Sequence, residues 1–175
     1  MERTLYVVDG EDNVIELADF PQSSVGAPLP SVIATEDQTF LVFYVQETPD
    51  GWDGSSVQMV GPDSEGKPLA IVSFDDCYAH MFGPPNNEAF KGHPLSSRGL
   101  HPYGVFKVEN SSWLRGLDRM NAVHPMHSPG LFSDYSHFIF SFHDSTFECI
   151  AKDYEIEITQ ASTKRALSVL SGKIE

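Results

Sequence analysis

The segment HFIFSFHDSTFEC, residues 137–149, decides the fold class. Phenylalanine recurs at every second position of its first half, and a period of two places alternate side chains on opposite faces of a β-strand. The polar run HDST separates this strand from a second apolar run, so the segment predicts a β-hairpin with its turn centred on Asp144 and Ser145. Phe142 would then pair with Phe147, which sets the register of the two strands.

In this register Phe140 lies opposite Cys149, and Ser141 lies opposite Glu148. One face of the hairpin is then aromatic and points into the core, where Cys149 behaves as a small hydrophobe. The other face carries Ile139 and the polar side chains His137, Ser141, His143, Thr146 and Glu148. Any site on this hairpin depends on that division of faces.

Runs of β-branched and aromatic residues predict further strands outside the hairpin. Residues 39–46, TFLVFYVQ, are apolar without alternation, which is typical of a central strand buried on both faces. Shorter strands are predicted at residues 5–8, 14–17, 57–60, 69–74, 104–108 and 154–158. The first two of these would form an N-terminal hairpin around a run of turn-forming residues.

The apolar spacing changes to the helical period at residues 112–122. A stripe of apolar side chains there, with Trp113 as its core anchor, predicts an amphipathic helix. Asn110 or Ser111 would supply the N-cap oxygen. A second, short helix is predicted at residues 161–170, near the C-terminus.

The segment 83–99, GPPNNEAFKGHPLSSRG, has no usable periodicity and predicts a long loop of the kind that often carries function. No charge run or low-complexity tract marks a linker, so we expect a single domain over residues 1–175. The predicted fold class is α+β. Its mostly antiparallel, twisted sheet would have about seven to nine strands, either bent into a half-barrel or split into two layers.

The formal net charge is −14 and is unevenly distributed. Residues 1–76 contain 15 acids against two bases, whereas residues 77–175 are nearly neutral and contain all seven histidines. Nucleic acids and anionic membranes are both bound through clustered basic side chains. We therefore expect neither as a partner.

The cellular location is predicted from what the sequence lacks. The start of the chain has no apolar run of signal-peptide length, and no stretch of roughly 18 apolar residues could span a bilayer. Cys77 and Cys149 lie 72 positions apart, unlike the dense cysteines of small secreted domains. We expect a cytoplasmic protein with reduced thiols.

Sequence signatures of the common motif-bearing enzymes are missing. The chain has no glycine-rich nucleotide loop, no GxSxG, no HExxH and no paired CxxC. These absences favour a protein without such chemistry, although dispersed residues can also form an active site.

The face that carries His137, His143 and Glu148 is the first candidate site. In the predicted register His143 and Glu148 are close enough to act as a proton-transfer couple. With His124 or His127 as a third ligand, the same groups could hold a divalent metal. The structural alternative is that they face solvent or are hydrogen-bonded within the fold.

A second candidate site lies in the long loop and just after it. His93, Arg98, His101 and Tyr103 could bind a carboxylate or phosphate, because arginine presents a planar fork of donors. The structural alternative pairs Arg98 with a surface acid.

Two smaller features complete the candidates. Trp52, in a turn rich in Gly and Asp, could anchor a partner, although packing over a loop is the commoner role of such a residue. Cys77 and His80 have a C-x-x-H spacing that could supply half of a metal site, and a lone pair of this kind is weak support.

These observations favour a non-catalytic binding or protein-interaction protein without a cofactor, whose partner is a protein or a small anionic ligand. The alternative is a small hydrolase or lyase that uses the His/Glu site, with or without a divalent metal. The sequence leaves open whether the chain is an enzyme, and it leaves the oligomeric state open as well.

Overall fold

A computed structural model describes residues 6–47 and 59–174. These residues form nine strands and two α-helices, which confirms the α+β class. In chain order the elements are β1 (Asn13–Glu16), β2 (Ser31–Ala34), β3 (Thr39–Tyr44), β4 (Pro68–Asp75), β5 (Ala79–Gly83), β6 (Val105–Glu109), α1 (Ser112–Asn121), β7 (Ser136–Ser141), β8 (Thr146–Ala151), β9 (Asp153–Gln160) and α2 (Thr163–Ser171).

The chain forms two compact units, each assembled from two separate segments. Unit 1 comprises Met1–Phe20 and Asp76–Asp153, and unit 2 comprises Pro21–Asp75 and Tyr154–Glu175. Each unit contains its own antiparallel sheet, so the strands are divided between two sheets. The prediction of one domain over residues 1–175 stays a prediction.

Unit 1 contains a five-stranded sheet in the order β1-β6-β7-β8-β5. Its central strands β7 and β8 are buried along almost their whole length, on both faces. On one face Ile139 packs with side chains from the long loop and from β6, and Trp113 of α1 packs against the same cluster. The loop therefore covers the face on which the sequence placed the titratable residues.

The division of faces in the β7–β8 hairpin agrees with the prediction, but its register does not. Phe140 pairs with Phe147, and Glu148 pairs with Ile139. The Phe142 amide donates to the Ser145 carbonyl at 2.8 Å, so the turn is tighter than predicted. Each residue of β7 therefore pairs with a residue of β8 two positions earlier than predicted. A shift of two positions leaves every side chain on its predicted face.

In the described part of the chain the predicted N-terminal hairpin of residues 5–8 and 14–17 does not form, and residue 5 lies outside that part. Val14 lies in β1, which pairs with β6 far along the chain, and residues 6–8 are not in a strand. Local turn signals favoured a sequence-adjacent partner, whereas the actual partner is a strand about ninety positions away along the chain, Asn13 lying opposite Glu109. Strand 57–60 was also predicted: residues 57 and 58 lie outside the described residues, and residues 59 and 60 are not in a strand.

Unit 2 contains a four-stranded sheet in the order β2-β3-β4-β9. The predicted doubly buried strand is β3, in which Leu41, Val42 and Phe43 have no exposed surface. Helix α2 packs on one face of this sheet, where Ala166 and Leu170 join a cluster with β3 and β4 side chains.

Both predicted helices are present, and each begins at a serine cap. The Ser111 hydroxyl accepts the Leu114 amide at the start of α1, as its N-cap position predicts. Ser162 accepts the Arg165 amide at the start of α2. Within the described ranges, neither helix has the length and apolar character that crossing a bilayer requires.

Candidate functional site

The carboxylate of Glu148 lies at the centre of a buried hydrogen-bond network in unit 1. Its Oε1 lies 2.9 Å from Nε2 of His93, and its Oε2 lies 2.9 Å from Nε2 of His137. The Tyr6 hydroxyl donates to Oε2 at 2.9 Å. With Ser111, which bonds to His137, we call these residues the Glu148 network. All five residues are buried, and the three central side chains are 0–3% exposed.

The loop 83–99 delivers His93 to this network. A short 3₁₀ turn, Phe90–Gly92, ends at His93, whose imidazole stacks on the Phe90 ring. The Leu95 amide donates to Nδ1 of His93 at 3.1 Å. Because an amide can only donate, Nδ1 is an acceptor, and the proton of the neutral ring lies on Nε2 and is donated to Glu148.

Helix α1 fixes the second imidazole through its cap. The Ser111 oxygen lies 2.9 Å from Nδ1 of His137 while also accepting the Leu114 amide. An ionised carboxylate can only accept, so Nε2 of His137 carries a proton directed at Glu148, and Nδ1 of the neutral ring then accepts the Ser111 O–H. One serine therefore both caps α1 and orients the imidazole.

The electrostatics of the network favour an ionised Glu148. Burial alone would raise the pKa of the carboxyl group, but the hydrogen bonds from His137 and His93 outweigh it and lower the pKa to about 2. Burial and the neighbouring Glu148 charge raise the pKa of the Tyr6 hydroxyl, so it stays a donor. The arrangement is one buried negative charge held by three donors.

The aromatic side chains around the network complete its enclosure. The Trp113 indole stacks on the Tyr6 ring at 5.8 Å and meets the His137 imidazole edge-on at 5.1 Å. Trp113 is thus a core anchor, as predicted. Enclosed groups of this kind hold each other in place, and a substrate would have to displace them to touch Glu148.

The predicted couple of His143 and Glu148 is wrong in its geometry. His143 lies in the tight turn, 41% exposed, with its Nδ1 2.8 Å from a carboxylate oxygen of Asp144. Of the predicted catalytic set, the structure brings His137 and Glu148 together. The sequence reasoning did not place Tyr6, His93 or Ser111 in this network, since each lies far from β8 along the chain and no local pattern links them.

The predicted metal ligands do not converge either. His127 bonds to Asp118 on α1 through Nε2, at 2.9 Å. No group of three or more His, Cys, Asp or Glu side chains in residues 6–47 and 59–174 is arranged to hold a metal ion.

The predicted anion site of the long loop is dispersed. His93 belongs to the Glu148 network, and the Arg98 guanidinium donates to the backbone carbonyls of Asp9 and Asp12. The His101 ring lies 3.3 Å from Glu16, and the Tyr103 hydroxyl accepts from Asn87. These side chains are used within the fold, so they do not form a common anion site. Trp52 lies outside the described residues.

Unit 2 contains a groove of about 310 Å³ between α2 and the sheet face of β3, β4 and β9. Phe40 and Ile71 from the sheet and Ala166 and Leu170 from α2 contribute apolar side chains to its lining, and polar side chains of β4 and β9 complete it. We call it the α2 groove. Its volume lies at the lower end of the range for small-molecule sites.

Two cations and one carboxylate also line the α2 groove. Arg165 projects from α2, Lys173 lies just beyond the C-terminal end of this helix, and both are exposed; Glu157 comes from β9. Neither cationic side chain forms a hydrogen bond or ion pair with any residue in the described part of the chain. The groove thus combines a partly apolar lining with a net positive rim.

The fold and these two features define an α+β protein with an enclosed polar network in one unit and an open groove in the other. Comparison of the chain with protein-family models, curated proteins and solved structures finds no match.

Proposed function

We propose that this chain is a non-catalytic binding protein whose α2 groove binds a small carboxylate with an apolar body. The single observation that supports this function is the pairing of apolar side chains in the groove lining with two cations, Arg165 and Lys173, that have no partner among the described residues. An anionic head would pair with the cations while the apolar body occupies the groove.

The charge distribution favours an anionic ligand at this place. The whole chain carries a net charge of −14, yet residues 161–174 contain three bases and no acid. Lys164 already pairs with Asp63 at 2.9 Å, whereas the other two bases line the groove. An anion would therefore meet a locally positive rim, and its binding should weaken with added salt.

Decanoate is a suitable probe, with decanol as the uncharged analogue, and binding is measured by isothermal titration calorimetry. We expect decanoate to bind more tightly than decanol. Arg165→Gln and Lys173→Gln should each weaken decanoate binding about tenfold, since a charge-assisted hydrogen bond contributes roughly 1.5–3 kcal/mol.

Lys164→Gln is the matched control, because it removes the same charge from the same helix but lies outside the groove lining. It should leave the dissociation constant within about twofold of that of the unmodified chain, at a cost below ~0.5 kcal/mol. Equal binding of decanoate and decanol, or an equal loss in the Lys164 variant, would overturn the proposal.

The alternative function, a small hydrolase or lyase acting through Glu148, receives less support. A catalytic carboxylate must contact its substrate, and the Glu148 side chain is 3% exposed beneath two imidazoles and a tyrosine. If Glu148→Gln abolished a hydrolytic activity of the folded protein, the hypothesis of a hydrolase or lyase would replace that of a non-catalytic binding protein.

A further inference from the structure

The side chains of Cys77 and Cys149 interact in unit 1 although 72 positions separate them. Strand β5 pairs with β8 so that Ala79 lies opposite Ile150, and the Tyr78 amide donates to the Ile150 carbonyl at 2.8 Å. This pairing brings Cys77 beside the end of β8. The Cys77 side chain and the Cys149 thiol share a hydrogen bond, and neither residue is in a disulfide.

The environments of the two thiols differ. Cys77 is half-buried, and its thiol also donates to the Ala79 carbonyl at 3.6 Å. Cys149 is fully buried, and burial raises the pKa of its thiol well above the ordinary value. A small oxidant therefore meets Cys77 first, and Cys149 is placed to react only with its neighbour.

We propose that Cys77 and Cys149 form a reversible intramolecular disulfide, with Cys77 as the thiol that attacks a low-molecular-weight disulfide and Cys149 as the thiol that resolves it. This site is independent of the α2 groove.

The chemistry balances with oxidised glutathione as the oxidant. The Cys77 thiol loses its proton, and its sulfur attacks one glutathione sulfur, which breaks the glutathione disulfide, releases one glutathione thiolate and leaves a mixed disulfide on Cys77. Cys149 then loses its proton and attacks the Cys77 sulfur, which releases the second glutathione thiolate. Two protein thiols are oxidised, one disulfide is reduced, and the two protons protonate the leaving thiolates.

The bond would join the start of the segment Asp76–Asp153 to its last strand. Closing so long a loop restricts the unfolded chain, and we expect the melting temperature of the oxidised protein to rise on the order of 5–10 °C. Dithiothreitol should reverse the rise.

The test is incubation of the full chain with oxidised glutathione at mildly alkaline pH, followed by intact-mass spectrometry and peptide mapping. We expect a loss of about 2 Da, which is two hydrogens, and a peptide cross-linked between positions 77 and 149. Cys149→Ala and Cys149→Ser should instead stop at a glutathione adduct on Cys77. Two replacements are used so that a packing defect in one is recognised by its circular dichroism spectrum.

Cys77→Ser tests whether Cys149 reacts only through Cys77, as proposed, or reacts with oxidised glutathione directly. Its buried Cys149 should remain unmodified over the time in which the unmodified chain becomes fully oxidised. Accumulation of a stable adduct on the unmodified chain, or modification of Cys149 in the Cys77 variant at the rate of the unmodified chain, would overturn the proposal.

Discussion

His93 and Glu148 are 55 positions apart, and the His93 Nε2 lies 2.9 Å from a Glu148 carboxylate oxygen in the interior of unit 1. This contact joins the long loop to β8, the fourth strand in the order of the five-stranded sheet. Since the Leu95 amide fixes the other ring nitrogen as an acceptor, the loop backbone itself determines the direction of the His93 hydrogen bond. The stability of the loop is therefore coupled to the ionisation of a single carboxyl group.

Replacing Glu148 with Gln tests this coupling. The variant keeps the side-chain shape but removes the charge and directs an amide N–H toward an imidazole N–H. We expect the free energy of unfolding to fall by about 2–4 kcal/mol, because buried donors lose an ionised acceptor. Urea unfolding measures the difference. Glu155→Gln on β9, an exposed position, serves as the control and should change the free energy by less than about 0.5 kcal/mol.

The pH dependence of the free energy of unfolding should reflect the ionisation of the Glu148 carboxyl group. The pKa of Glu148 in the folded protein is lowered from 4.5 to about 2. Its contribution is therefore complete above the unfolded-state pKa and is lost as the pH falls from 4.5 toward 2. Between about pH 5 and pH 3 the unmodified chain should lose more stability than Glu148→Gln does. Parallel pH profiles for the two proteins would contradict the assignment.

Tyr6→Phe removes the Tyr6 hydroxyl, which is the third hydrogen-bond donor to Glu148, and keeps the aromatic ring. We expect a loss of about 1–2 kcal/mol in the free energy of unfolding, since a hydrogen bond to a buried charge contributes more than one between neutral groups. Tyr78→Phe is the comparison, because its hydroxyl is hydrogen-bonded to Asn121 at an exposed position. If both variants have the same stability, the Tyr6 hydroxyl contributes nothing to the network.

Ser111→Ala and Ser162→Ala compare two helix caps. Each should lose about 1 kcal/mol of stability from the missing cap. Ser111 also supports the buried His137, whereas Ser162 donates to the exposed Glu65. We therefore expect Ser111→Ala to be the more destabilising by about 1 kcal/mol in chemical denaturation. A larger effect at Ser162 would contradict the role of Ser111 in orienting the imidazole.

The strength of local periodicity explains which parts of the fold were predictable. Alternation in residues 137–142 and the apolar run at 39–46 each identified a strand, and Ser111 marked the start of α1. The prediction of which hairpin side chains share a face was correct although the predicted register was wrong, because a shift of two positions keeps each side chain on the same face. The partner of β1 was missed, since its pairing with β6 joins residues far apart in the chain and no local pattern encodes it.

The Glu148 network shows the same limit for the site. Period-two alternation put His137 and Glu148 on one face of the hairpin, which was correct. His93, in the long loop, was predicted to bind an anion and not to contact Glu148. Nothing in segment 83–99 indicates which strand the loop covers. The α2 groove left no separate signal in the sequence, since its lining comes from three strands and a helix that are distant in the chain.

Unit 2 is built from two separate segments of the chain, so the ribosome completes its sheet only at the end of synthesis. Strands β2, β3 and β4 leave the ribosome after β1, the long segment Asp76–Asp153 of unit 1 follows, and only then do β9 and α2 appear. Until that moment Val42 and Tyr44 lack the helix that shields them in the finished protein. A nascent chain that pauses before residue 154 therefore displays β3 without this cover, and exposed apolar surface of this kind is what holdase chaperones bind.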